Sequence, residues 1–170
     1  MMNLPPHVFL DQKGLPYTRL AFPPDTEKGA ANVARALGCK PSQMVKTLIF
    51  ETGGGEHVLV MLAADKNAVS GNLKKAVGSR NIKLAQPETV KRVTGYEIGS
   101  IPPFHWQPQG FRSFIDAALT HEDVLGVGAG IWGQEIMIAP HDLVEASSAT
   151  VVNLTNRGQP VMQDETPANR

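Results

Sequence analysis

The sequence predicts an α/β fold of the mixed α+β type: a central mixed, largely antiparallel sheet, barrel-like, with peripheral helices. Three observations predict it. Helix-like and strand-like segments are interspersed along the chain, which fits neither an all-α nor an all-β protein. Two apolar runs, Met44 to Phe50 and His57 to Ala64, flank Glu51-Thr52-Gly53-Gly54-Gly55-Glu56, whose glycines can take the positive φ of a hairpin. Hairpins pair strands antiparallel, which favours a mixed sheet over a doubly wound parallel one. The chain of 170 residues suits one compact domain, read as 1–155, followed by a mobile tail over 156–170 with little apolar content.

The elements follow in order. Residues 6 to 13 read as a short helix closed by Gly14, and Tyr17 to Phe22 as a strand that Pro23-Pro24 ends. Thr26 is placed to cap a helix whose apolar face is Ala30, Val33, Ala34 and Leu37, with Gly38 past its end. After the hairpin, Asp65 is placed to cap a helix through Val77, and Ile82 to Ala85 reads as a short strand. Pro87 then opens a helix that stops at Gly95. Gly95-Tyr96-Glu97-Ile98-Gly99-Ser100-Ile101-Pro102-Pro103-Phe104 holds too many helix breakers to be anything but an ordered loop. Arg112 to Ile115, Val124 to Val127 and Glu135 to Ala139 read as strands, Pro140 to Glu145 as a helix and Thr150 to Leu154 as a last strand.

Composition removes several classes of function. A 42% hydrophobic and 19% charged chain is not disordered, and no apolar run approaches the ~18 residues of a membrane span. Met-Met-Asn-Leu-Pro-Pro has neither the charged start nor the apolar stretch of a secretory signal, so a soluble cytoplasmic protein is expected. Cys39 is the sole cysteine and the five histidines are scattered, which offers no zinc-ligand spacing; no metal and no cofactor is expected. Net charge is zero but unevenly spread. Seven cations (Lys66, Lys74, Lys75, Arg80, Lys83, Lys91, Arg92) stand against Glu88 alone between positions 66 and 92. That stretch is either a phosphate-facing patch or the solvated faces of two short helices.

Chemical motifs are few. Gly128-Ala129-Gly130-Ile131-Trp132-Gly133 matches the dinucleotide fingerprint, but Gln134 to Ala139 continues as a strand where that fingerprint needs a helix. It reads instead as a turn between strands or a backbone wall that lets a ligand approach. No nucleophile elbow is present, Cys39 reads as a loop hydrophobe, and His105 and His121 read as surface histidines. Lys46 stands out because strand alternation puts it on one face with Met44, Leu48 and Phe50. Either its stem snorkels to water or its ammonium enters a pocket to hold an anion or a developing charge.

Four blocks together resemble the YbaK-like aminoacyl-tRNA deacylases, relatives of the editing domain of bacterial prolyl-tRNA synthetases. They are Val45-Lys46-Thr47-Leu48-Ile49-Phe50, Ala63-Ala64-Asp65-Lys66, Gly95 to Pro103, and Gly128 to Ile138 with Ala139-Pro140-His141-Asp142-Leu143. The resemblance implies a trans-editing hydrolase that cleaves the ester of a mischarged tRNA, with tRNA for proline carrying alanine or cysteine as the expected substrate. A non-catalytic module binding an amino acid, a nucleotide or aminoacyl-tRNA on the same scaffold is the alternative. Carried over by position, Lys46, Gly99 and Ser100 are the expected catalytic residues. Phe22, Thr47, Ile101 and Pro102, with Gly128, Ala129, Gly130 and Glu135, are the expected substrate-binding ones. Lys74, Lys75 and Arg80 are expected to touch tRNA, and prolyl-tRNA synthetase is a further expected partner; oligomeric state is left open. This chain has Gly99-Ser100 where many relatives have Gly-Gly, and glycine or alanine at 128 and 129 where a serine is common.

Overall fold

The computed structural model describes residues 2–157. Its order is α1 (Pro5–Lys13), β1 (Thr18–Ala21), α2 (Ala30–Leu37), β2 (Val45–Thr52), β3 (His57–Ala63), α3 (Ser70–Val77), β4 (Ile82–Leu84), α4 (Pro87–Thr94), β5 (Arg112–Asp116), β6 (Leu125–Gly128), β7 (Gln134–Ile138), α5 (Pro140–Ser147) and β8 (Thr150–Val152). Short 3-10 turns at Pro41–Gln43 and Ala117–His121 complete it.

The strands form two sheets, ordered β1-β7-β6 and β4-β2-β3-β5-β8. Four of the six strand pairings among the described residues are antiparallel, and β3-β5 and β5-β8 are parallel. The mixed, largely antiparallel character expected from the hairpin is therefore present. The single barrel-like sheet is not: neither sheet closes on itself, and the two touch through an isolated parallel bridge between Met44 and Gly126. Gly126 is what allows that touch, because a Cβ there would run into the Met44 side chain.

Burial follows strand alternation. On β3, Leu59, Met61 and Ala63 enter the main core, while Val58, Val60 and Leu62 face the other way onto Leu73 and Val77 of α3. A strand covered on both faces needs a continuous apolar run, which Val58-Leu59-Val60-Met61-Leu62-Ala63 supplies. The main core also takes Ile49, Phe104, Ile115, Leu125, Ile136 and Leu143. Each such side chain contributes roughly 1.5–3 kcal/mol through burial.

Two helices start later than their cap signals predict. Thr26 is not a cap: its N–H donates to Pro23 O (2.9 Å) and its carbonyl accepts from Trp132 Nε1 (3.2 Å), so both groups serve turn and tertiary bonds. α2 begins after Gly29. Asp65 is not a cap either; α3 begins after Val69, whose N–H donates to Leu154 O (2.7 Å). Helices α1 to α4 end on glycines with φ between 68° and 83°, whereas α5 ends on Ser148 at φ 55°. Of the predicted tail, Asn156 is tied to Asn153 by two hydrogen bonds (2.7 and 2.9 Å), and 158–170 lie outside the described residues. Among the described residues, no helix is long and apolar enough to cross a membrane.

Candidate active site

Strand β4 pairs with β2 only over Phe50–Thr52, leaving the first half of β2 as a free edge. Beyond the Met44–Gly126 bridge, β2 and β6 part, and a cavity of about 450 Å³ opens between them. Val45, Lys46, Thr47 and Leu48 all line it. Four consecutive strand residues alternate between faces, so a cavity that touches all four must lie along the strand's edge. The opposite wall is Gly128 of β6 and Glu135 of β7, which are register partners. Ile98, Gly99 and Ile101 form a third wall, and Lys28 to Ala30 with Val33 form the fourth.

Lys46 is half-buried, and its Nζ donates to Asn67 Oδ1 at 3.1 Å. Burial draws its pKa below the usual lysine value, while the nearby Asp65 carboxylate pulls the other way. Asp65, from the second sequence block, and Asn67, just past it, belong to the segment after β3, which reaches the cavity through Lys46. Glu135 is 7% exposed, and its carboxyl has no hydrogen-bond or ion-pair partner among the described residues. Desolvation pushes its pKa far above the usual carboxylate range.

The glycine walls have specific causes. Gly128 lies against the loop: a Cβ on it would sit 2.9 Å from the Ser100 carbonyl carbon and 3.2 Å from Ile101 O. Gly99 has φ +95°, and the Ser100 N–H donates to Glu97 O (3.1 Å), closing the turn. The amides of Gly99 and Ile101 make no hydrogen bond among the described residues.

Of the expected residues, Lys46, Thr47, Gly99, Ile101, Gly128 and Glu135 line one cavity. Ser100 is buried behind it, and the Pro102 carbonyl is taken by Trp106 Nε1 (2.6 Å). Phe22 packs edge-on to Trp132 (centroids 4.9 Å apart), Ala129 is fully buried in the main core, and Gly130 lies beneath the Tyr96 ring. Lys74 and Arg80 line a separate cleft, and Lys75 is exposed outside its lining. Among the described residues, no group of three or more His, Cys, Asp or Glu is gathered to hold a metal ion.

Sequence reasoning missed three features. Lys28 rims the cavity, its Nζ 4.0 Å from the Trp132 ring centroid; the signal was a cation beside the glycine that starts α2. Ile98, half-exposed on the rim, carried no signal. His105 is not a surface histidine: it is partly buried at φ +82°, and its Nε2 lies 2.5 Å from Tyr96 Oη. That bond ties the two ends of the loop bearing Gly99 to Ile101. Burial lowers the His105 pKa and raises that of Tyr96, so both groups are neutral near pH 7.

Residues 24–146 match the aminoacyl-tRNA editing domain family. The chain is 30% identical over 121 residues to the multifunctional Ser/Thr-tRNA deacylase ProXp-y of Escherichia coli (strain K12), covering 71% of this chain and 67% of that one. It is 31% identical over 108 residues to the proline–tRNA ligase of Pelobacter propionicus, covering 64% of this chain but 18% of the ligase. A solved structure described as a candidate trans-editing enzyme for prolyl tRNA synthetase superposes with a TM-score of 0.77 at 24% identity, over 88% of this chain and 93% of that one. At that identity the likeness shows the fold alone. The sequence blocks, the cavity they build and the match over 24–146 agree: this chain belongs to the aminoacyl-tRNA editing domain family.

Proposed function

We propose that the chain is a trans-editing hydrolase that cleaves the ester between a wrong amino acid and the terminal ribose of a tRNA. The observation that carries this reading is the convergence of blocks far apart in sequence, at Lys46, Gly99 and Ile101, Gly128 and Glu135, on one cavity. Water adds to the ester carbonyl, the carbon–oxygen bond to the ribose breaks, and the ribose oxygen leaves with a proton, giving free amino acid and tRNA. An aminoacyl ester is already activated, and the neighbouring ribose hydroxyl can assist, so the protein has mainly to position and to stabilise charge.

Lys46 acts as a clamp on a phosphate or ribose oxygen at the acceptor end, oriented by Asn67. Such a charge-assisted bond is worth roughly 1.5–3 kcal/mol, about 10- to 150-fold. The free amides of Gly99 and Ile101 are the donors for the oxyanion, since that of Ser100 is already used on Glu97. Glu135, without an internal partner, receives the substrate's α-ammonium, and ionises as the cation arrives.

The substrate proposed is tRNA for proline carrying a small amino acid such as alanine or cysteine, with prolyl-tRNA synthetase as the partner that supplies it. Support comes from the likeness to a proline–tRNA ligase; the name of the Escherichia coli relative adds serine and threonine to the candidates. The test is a panel of mischarged tRNAs bearing alanine, cysteine, serine or threonine, with release of free amino acid followed over time. Hydrolysis of at least one above its spontaneous rate is expected. Tight binding with no turnover of any would refute the enzyme in favour of a binding module.

A further inference from the structure

A second cleft, of about 540 Å³, lies between the last turn of α3, the β2–β3 hairpin and β4. Lys74, Arg80 and Lys83 converge on it, and none of the three has an ion-pair partner among the described residues. Glu51 is the acid in its lining and is engaged by His57 Nε2 at 3.1 Å. The C-terminal carbonyls of α3 would repel an anion, but Arg112 already donates to Val77 O (2.9 Å). The cleft is also held in shape. Gly53 N–H donates to Asn81 O (2.8 Å), Ser79 Oγ donates to the same carbonyl (2.9 Å), and a Cβ on Gly53 would meet Asn81 Cβ at 2.9 Å.

Position gives the cleft its meaning. Lys46, Leu48, Phe50 and Thr52 share one face of β2, the face that packs under α3. The candidate active site is at one end of that strand and the cleft at the other, six residues or about 20 Å away. That span matches about six nucleotides of one strand at 3.4 Å each. We propose that the cleft is a second, phosphate-binding site, which holds the ribose–phosphate backbone of the tRNA acceptor stem while the aminoacyl end occupies the cavity. The proposal rests on tRNA being the substrate and adds where its stem lies. It includes Lys83, one of the seven clustered cations but not among the residues expected to touch tRNA, and leaves out Lys75.

The experiment measures binding of uncharged tRNA for proline as a function of salt, for the wild-type chain and for Arg80→Ala, Lys83→Ala and Arg92→Ala. Arg92 is exposed on α4, outside the cleft. Arg80→Ala and Lys83→Ala are each expected to weaken binding about two- to fivefold at low salt, and to flatten the slope of log affinity against log salt by about one unit. Arg92→Ala is expected to change the slope by less than half of that. Melting curves check the fold of each variant, and Arg80→Lys, which keeps the charge, should restore the slope. Equal losses in all three alanine variants, or an unchanged slope in folded Lys83→Ala, overturn the cleft. Binding of uncharged tRNA needs no hydrolysis. A chain that deacylates nothing yet shows the expected slopes overturns the enzyme and keeps the cleft; active deacylation with unaltered slopes does the reverse.

Discussion

Lys46 is the residue to which the proposed chemistry assigns the clamp, and its surroundings predict how it fails. Its ammonium is partly desolvated and held by Asn67, so truncation removes a charge from the cavity while sparing the apolar packing below it. Lys46→Ala should lower deacylation at least tenfold with an unchanged melting temperature, read by initial rates and thermal denaturation. Lys46→Arg should recover only part, because a planar guanidinium does not replace a compact ammonium beside Asn67. Glu135 gives a pH signature. Its carboxyl titrates far higher folded than unfolded, so its contribution to stability is full below the unfolded pKa of about 4.3 and is lost as pH rises through the folded value. Each unit of that shift is worth about 1.4 kcal/mol. Glu135→Gln should therefore match the wild type in melting temperature near pH 4 and exceed it at pH 7.5, while losing activity; equal gaps at both pH values would refute the assignment. Lys46 was legible in the sequence because a cation interrupts an apolar strand. Glu135 came only through resemblance, since its lack of a partner is a property of the assembled cavity.

At the level of elements, the loop from Gly95 to Trp106 forms a wall of the site, and two devices hold it. One is the Tyr96–His105 bond; the other is Gly128 pressed against the Ser100 and Ile101 carbonyls. Gly128→Ala places a methyl 2.9 Å from main-chain carbon, and neither strand β6 nor the loop can move as cheaply as a side-chain tip. Overpacking of this kind costs roughly 1–3 kcal/mol. The expected outcome is a lower melting temperature and a fall in kcat of tenfold or more, the loop being displaced with its donors; unchanged kinetics would mean that the amides of Gly99 and Ile101 take no part. The existence of this loop was legible from its glycines and prolines, and most strands from their apolar runs. The helix starts were not. Thr26 and Asp65 are good local caps, yet Trp132 from over a hundred residues away binds the Thr26 carbonyl, and Leu154 binds the Val69 amide. Long-range partners of that sort leave no local pattern to read.

Across the whole molecule, the site depends on how the last strand is anchored. The buried Asp116 carboxylate at the end of β5 accepts from Leu154 N–H (2.8 Å) and Thr155 Oγ1 (2.7 Å). Leu154 O in turn receives Val69 N–H, which sets the start of α3 and closes the segment from which Asn67 reaches Lys46. A chain of three contacts thus joins the C-terminal end of the five-stranded sheet to the lysine that lines the cavity. Asp116→Ala strands the Leu154 amide beside a fully buried side chain, a loss of about 1–3 kcal/mol. At roughly 2–4 °C per kcal/mol for a chain of this size, the melting temperature should fall by about 2–12 °C. Asp116→Asn keeps one acceptor oxygen for the Leu154 amide and should recover part of the loss. Well below melting, Asp116→Ala should also reduce deacylation, whereas Lys46→Ala with Asp116→Ala should be no slower than Lys46→Ala alone. That non-additivity is expected because the first change acts on the rate through the lysine. Independent, multiplying losses in the double variant would show that Asp116 supports the fold without reaching the site.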